Sequence, residues 1–156
     1  MAFRTAAFAA LGLLAASMGG CAHEKVADNG YRWAYLEAGQ EPARLAYGLP
    51  DTDSVALMMS CRPDKDGIDV TAVGLPGDTI VLASGGAESR LPAAKIDDEL
   101  NDGGTLQAQA KADAPALAGF RRSGELALLT KGERHDLAAG SADRGKVRAF
   151  FTACGV

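Results

Sequence analysis

The amino-acid sequence predicts a mainly β (α+β) domain, an antiparallel meander forming a small sandwich or partly open barrel, with a helix packed at its C-terminal end. Three observations carry this prediction. Between Tyr31 and Thr130 apolar residues recur at two-residue spacing in short runs. Clusters of Gly, Pro and Asp separate those runs. Only the segment from Ser141 to Cys154 changes to the period of an amphipathic helix.

The opening strand is set by Tyr31, Trp33 and Tyr35, which fall on one side and offer a large aromatic face for core packing rather than a binding platform. ARLAYG at 43–48 resumes with Leu45 and Tyr47 in alternation. SVALMMSC at 54–61 is the clearest strand; it is apolar on both faces and therefore central. A turn at RPDKDG leads to IDVTAVG at 68–74, a hairpin partner for it, and TIVLAS at 79–84 is expected to complete the meander. A weaker strand follows near Ser89–Ile96, then an acidic loop, then TLQAQAKAD with Leu106, Ala108, Ala110 and Ala112 on one face. Asp113 is placed to cap a short turn containing Pro115, which FRRSG ends. GELALLTKG at 124–132 reads as the last strand. In the final segment Val147, Phe150, Phe151 and Cys154 stand at i, i+3, i+4 and i+7, which marks a helix packed by one stripe.

The 156 residues suit one domain, placed at 31–156. Ahead of it, Arg4 is followed by an uncharged stretch from Thr5 to Met18 and then by small residues, the layout of a secretory signal over residues 1–20. The stretch is short for a spanning helix, which needs about 20 residues. Met18-Gly19-Gly20-Cys21 resembles the lipobox of bacterial lipoproteins. That resemblance implies a diacylglyceryl group on Cys21, which becomes the new N-terminus, and Ala22 after it implies the outer rather than the inner membrane. Residues 21–30 then form the lipidated end and a polar tether. The alternative is ordinary cleavage, for example after Ala22, which would leave a secreted periplasmic protein.

The whole chain carries a formal charge of −4; without residues 1–20 it holds 15 basic against 20 acidic residues. This balance and the lack of a basic run argue against a nucleic-acid partner. Three cysteines are an awkward number in an oxidising compartment. Lipidation of Cys21 leaves Cys61 and Cys154, both on apolar faces, either as a disulfide or as two separate buried thiols.

Candidate chemistry is sparse. Asp64, Asp66 and Asp69 suggest a calcium loop, but the glycine spacing is wrong and the twelfth residue is Leu75, so a solvated hairpin turn is the better reading. His135 beside Asp136 reads as a loop histidine, and Ser84 in ASGG has no identifiable partner. Gly85-Gly86 and Gly103-Gly104 match no phosphate-loop pattern. Arg121-Arg122 is a candidate contact for an anion or a partner. No catalytic set, metal or cofactor is expected.

The closing F-x-x-C, Phe151-Thr152-Ala153-Cys154, with a mid-domain strand ending in Cys61, resembles small periplasmic β-domains. The resemblance implies an envelope lipoprotein that binds or scaffolds a cell-envelope protein or wall component without catalysis. LASGGAESR at 82–90 resembles the Ser-Gly loop of membrane-bound lysozyme inhibitors, which implies as an alternative an inhibitor of a cell-wall hydrolase. A small hydrolase using His135 is the third reading.

Overall fold

The computed structural model describes residues 30–37, 39–62, 67–96 and 104–156. They form a nine-stranded antiparallel sheet curled into a half-barrel, with two helices. The strands are β1 (Arg32–Leu36), β2 (Arg44–Gly48), β3 (Val55–Cys61), β4 (Gly67–Val73), β5 (Thr79–Ser84), β6 (Ala87–Ile96), β7 (Thr105–Lys111), β8 (Ala127–Thr130) and β9 (Glu133–Asp136). Helix α1 (Pro115–Ser123) follows β7, and α2 (Arg144–Ala153) follows β9. The signal segment, Cys21 and its tether up to residue 29, the turn containing Asp64 and Asp66, and the acidic loop with Gly103 lie outside the described residues.

The mainly antiparallel architecture and the C-terminal helix agree with the sequence reading. Two-residue alternation does the work in β3, β4 and β7: Leu57, Met59 and Cys61, Ile68, Val70 and Ala72, and Leu106, Ala108 and Ala110 all turn into the core. The strand order is β1-β2-β3-β4-β7-β6-β5-β8-β9. Consecutive pairing therefore stops at β4, and TIVLAS does not extend the meander. β7 takes that place instead, in a register that sets Ile68 opposite Ala110, Val70 opposite Ala108 and Ala72 opposite Leu106. Large residues on one strand meet small ones on the other, which fills the inner layer without overpacking. β5 instead pairs with β6 through the two-residue turn Gly85-Gly86, where φ values of 54° and 82° need glycine, and with β8 on its other side.

Three further corrections concern local elements. The last strand of the sheet is β9, joined to β8 by Lys131-Gly132 at φ 48° and 82°, so His135 stands on an edge strand and not in a loop. Asp113 does not cap α1, whose N-cap is Ala114; the Ser89 hydroxyl of β6 accepts from the Ala116 N–H at 3.0 Å. The capping oxygen comes from the sheet beneath the helix rather than from the preceding residue, so a local sequence pattern does not reveal it. α2 starts at Arg144, three residues after Ser141, because the 140–143 segment forms a turn with the Asp143 N–H bonded to the Gly140 carbonyl.

Both helices pack on the inner face, α1 against β5 and β6, and α2 against β1 and β2. Trp33 lies between them, with ring centroids 5.1 Å from Tyr47 and 5.0 Å from Phe120, and Phe120 in turn meets Phe151 edge-on at 6.1 Å. The Trp33 indole Nε1 donates to the Leu137 carbonyl at 2.8 Å, which ties β1 at one end of the sheet to the chain just past β9 at the other. The free backbone edge of Trp33 is also occupied: its N–H donates to Asp143 Oδ2 at 3.2 Å, and its carbonyl accepts from Lys146 Nζ at 2.8 Å. Edge strands left open invite pairing with other chains, and here the N-cap residue of α2 and one side chain within it cover that edge.

α1 approaches the sheet closely because Gly119 has no side chain. A Cβ there would sit 2.7 Å from Ser84 Oγ and 2.9 Å from Ser84 Cβ. Gly119→Ala is expected to destabilise the fold by about 1 to 3 kcal/mol through overpacking, despite alanine's better helix propensity. Urea unfolding checks this, and Ser84→Gly in the same chain should restore most of the loss; a stabilised single variant would contradict the close contact.

Candidate functional site: an arginine cleft between the helices

α1 ends where Gly124 takes a left-handed conformation at φ 74° and its N–H caps the Phe120 carbonyl. Arg121 and Arg122 occupy the last turn, where the exposed carbonyl end of a helix favours cations. The chain returns after β9 so that Arg144 and Arg148, one turn apart on α2, face the end of α1 across Val147. Gly124 is again the permissive residue, since a Cβ there would come within 3.2 Å of Arg144 Cγ. The result is a cleft of about 60 Å³ whose lining includes Arg121, Arg122, Arg144 and Arg148 and no carboxylate.

All four arginines are exposed, and none has a side-chain hydrogen bond or ion pair among the described residues. Each other described arginine does: Arg44 with Glu41 at 2.7 Å, Arg90 with Glu88 at 3.3 Å, Arg134 with Asp136 at 2.8 Å, Arg62 with Gln109 at 2.9 Å and Arg32 with the Tyr31 carbonyl at 2.8 Å. Ser123, which also lines the cleft, already donates to the Gly119 carbonyl and accepts from the Glu125 N–H. The cleft thus presents cationic donors, groups of the kind that pair with anions.

The residues singled out from sequence divide clearly. Cys61 and Cys154 are joined in a disulfide with Cα atoms 5.2 Å apart, which settles the choice between a bridge and separate thiols. Arg121 and Arg122 belong to the cleft, but Arg144 and Arg148 were not among the sequence candidates. Their i, i+4 spacing beside the Val147–Phe151 stripe is the signal that would have found them. His135 is half-exposed on β9, with Nε2 3.8 Å from Glu133 Oε2. Ser84 is 2% exposed beneath α1, and its Oγ has no hydrogen-bond partner among the described residues. Ser84 and His135 therefore do not form a pair, and Asp136 is engaged by Arg134. In the LASGGAESR hairpin both serines face inward, leaving Gly85, Gly86, Glu88 and Arg90 exposed. No group of three or more His, Cys, Asp or Glu residues with metal-binding geometry occurs among the described residues.

Two larger depressions lie elsewhere. One of about 350 Å³ is bordered by Ala34, Ala46, Gly48, Leu49 and Val55, and one of about 580 Å³ by Asp69, Pro92, Ala94, Gln107 and Gln109. The first is also lined by Arg32, Asp51, Thr52 and Lys146, charges of both signs, and the second has Asp69 as its charged residue. Compared with protein-family models, curated proteins and solved structures, the chain matches none.

Proposed function

We propose that this chain is a non-catalytic binding or scaffolding module of the bacterial cell envelope, tethered to membrane lipid through an acylated Cys21 and facing the periplasm, on the outer rather than the inner membrane. The observation that carries the reading is the Cys61–Cys154 disulfide, because such bridges persist in oxidising compartments and are rare in the cytosol. Pairing those two thiols leaves Cys21 as the odd cysteine, the position the lipobox resemblance assigns to the lipid. Acyl chains contribute about 0.8 kcal/mol per buried methylene, and stable attachment takes two such signals, which a diacylglyceryl cysteine supplies. The arginine cleft supports the binding half of the reading, since the charged groups that line it are all of one sign.

The N-terminal peptide from the native host tests the anchor. Mass spectrometry is expected to show Cys21 as the first residue, carrying acyl chains. An unacylated end or a retained Met1 would overturn the proposal. Crosslinking in intact cells tests the binding role and should capture a repeatable envelope neighbour.

A further inference from the structure

We propose that the cleft formed by Arg121, Arg122, Arg144 and Arg148 binds the phosphoryl group of an anionic ligand. The inference names the ligand chemistry of the binding module and rests on that reading.

Four like charges gathered around about 60 Å³ repel one another, and the chain as a whole is acidic at −4, so the cluster runs against the global balance. The paired state of the other described arginines shows that this chain does supply partners for guanidinium groups elsewhere. The lack of a side-chain partner among the described residues at all four arginines lining one cleft is accounted for by a ligand that brings the negative charge.

The start of α2 adds to the argument. The positive end of a helix ordinarily attracts acidic side chains, yet the first turn of this ten-residue helix has none and opens on Arg144. The one carboxylate at hand, Asp143, is 5% exposed and committed to the Trp33 N–H and to Lys146 Nζ. Arg144 therefore has no acidic side chain in its own turn to pair with.

Phosphate fits better than carboxylate. Guanidinium forks from two helices approach from two sides, and a tetrahedral phosphoryl group offers several oxygens in different directions where a carboxylate offers two in one plane. The small volume admits one such group while the rest of the ligand stays outside. A phospholipid headgroup and a soluble phosphate ester share this chemistry.

The test uses the full chain with Cys21→Ala, so that no acyl chain contributes to membrane binding. Calorimetric titration with inorganic phosphate and pyrophosphate at low salt should give saturable binding. Binding should weaken roughly tenfold or more in Arg144→Gln/Arg148→Gln and in Arg121→Gln/Arg122→Gln. It should hold in Lys111→Gln/Lys131→Gln, which removes the same charge from exposed positions elsewhere, and thermal melts confirm that all variants stay folded. Flotation with phosphatidylglycerol vesicles but not phosphatidylcholine vesicles, lost in the arginine variants, identifies a lipid source; binding of the soluble phosphates without flotation identifies a soluble ester. Absence of binding to every probe, or equal weakening in the lysine control, overturns the proposal. Such a failure leaves the envelope-module reading standing if crosslinking still yields a neighbour, and an unacylated Cys21 leaves the phosphate titration unaffected.

Discussion

Reduction of the Cys61–Cys154 bridge lowers the stability of the domain by about 3 to 4 kcal/mol, because the crosslink spans 93 residues and removes much of the freedom of the unfolded chain. For a domain of this size that corresponds to a fall in Tm of roughly 10 to 15 °C. The bridge fastens the end of α2 to β3, inside the sheet, so the unfolded chain is held as one large loop covering β4 through α2. The reduced protein should nevertheless remain folded at room temperature. Val147, Phe150 and Phe151 are all buried on the α2 stripe, and each such side chain contributes on the order of 1.5 to 3 kcal/mol. Cys61→Ala, Cys154→Ala and the double variant should therefore melt close together, since each removes the same constraint. Thermal melts with and without reductant, with intact mass reporting a gain of two hydrogens, check the result. A reduced protein melting with the oxidised one would show that the bridge contributes no constraint.

The same bridge illustrates what the sequence disclosed and what it withheld. Alternation placed Cys61 inward and the helical stripe placed Cys154 inward, so the burial of both was legible from local pattern. Contact between them was not, because the choice between a bridge and two thiols depends on how β3 and α2 meet in space. Strand identity followed the same rule. Runs such as SVALMMSC and TLQAQAKAD declared themselves by period, but pairing of β4 with β7 depends on the large-against-small match of Val70 with Ala108 across a long separation. β9 was missed because ERHD carries no apolar alternation. Its signal was the dipeptide Lys131-Gly132, a two-residue turn whose positive φ at a lysine is uncommon. The site was half visible: adjacent Arg121 and Arg122 attract notice in a linear reading, whereas Arg144 and Arg148 join them only once α2 folds back past the end of α1.

Replacing Trp33 is expected to have the largest effect of any single substitution considered. Its side chain is fully buried, touches Tyr47 and Phe120, and donates through Nε1 to the Leu137 carbonyl. Trp33→Ala removes the ring that fills the space between β1, α1 and α2, at a cost of about 3 to 5 kcal/mol, and leaves the Leu137 carbonyl without its donor. Such a loss takes up a large share of a typical total stability of about 5 to 15 kcal/mol. Trp33→Phe separates the two contributions, because it keeps most of the aromatic packing while deleting the donor. The backbone bonds from Trp33 to Asp143 and Lys146 do not depend on the side chain, so β1 keeps its clamp on α2 in both variants. Urea unfolding followed by circular dichroism should rank wild type above Trp33→Phe and both above Trp33→Ala. If the alanine variant unfolds within about 1 kcal/mol of wild type, the ring is not what holds the two ends of the curled sheet together, and the short segment from Leu137 to Asp143 must be retained by α2 alone.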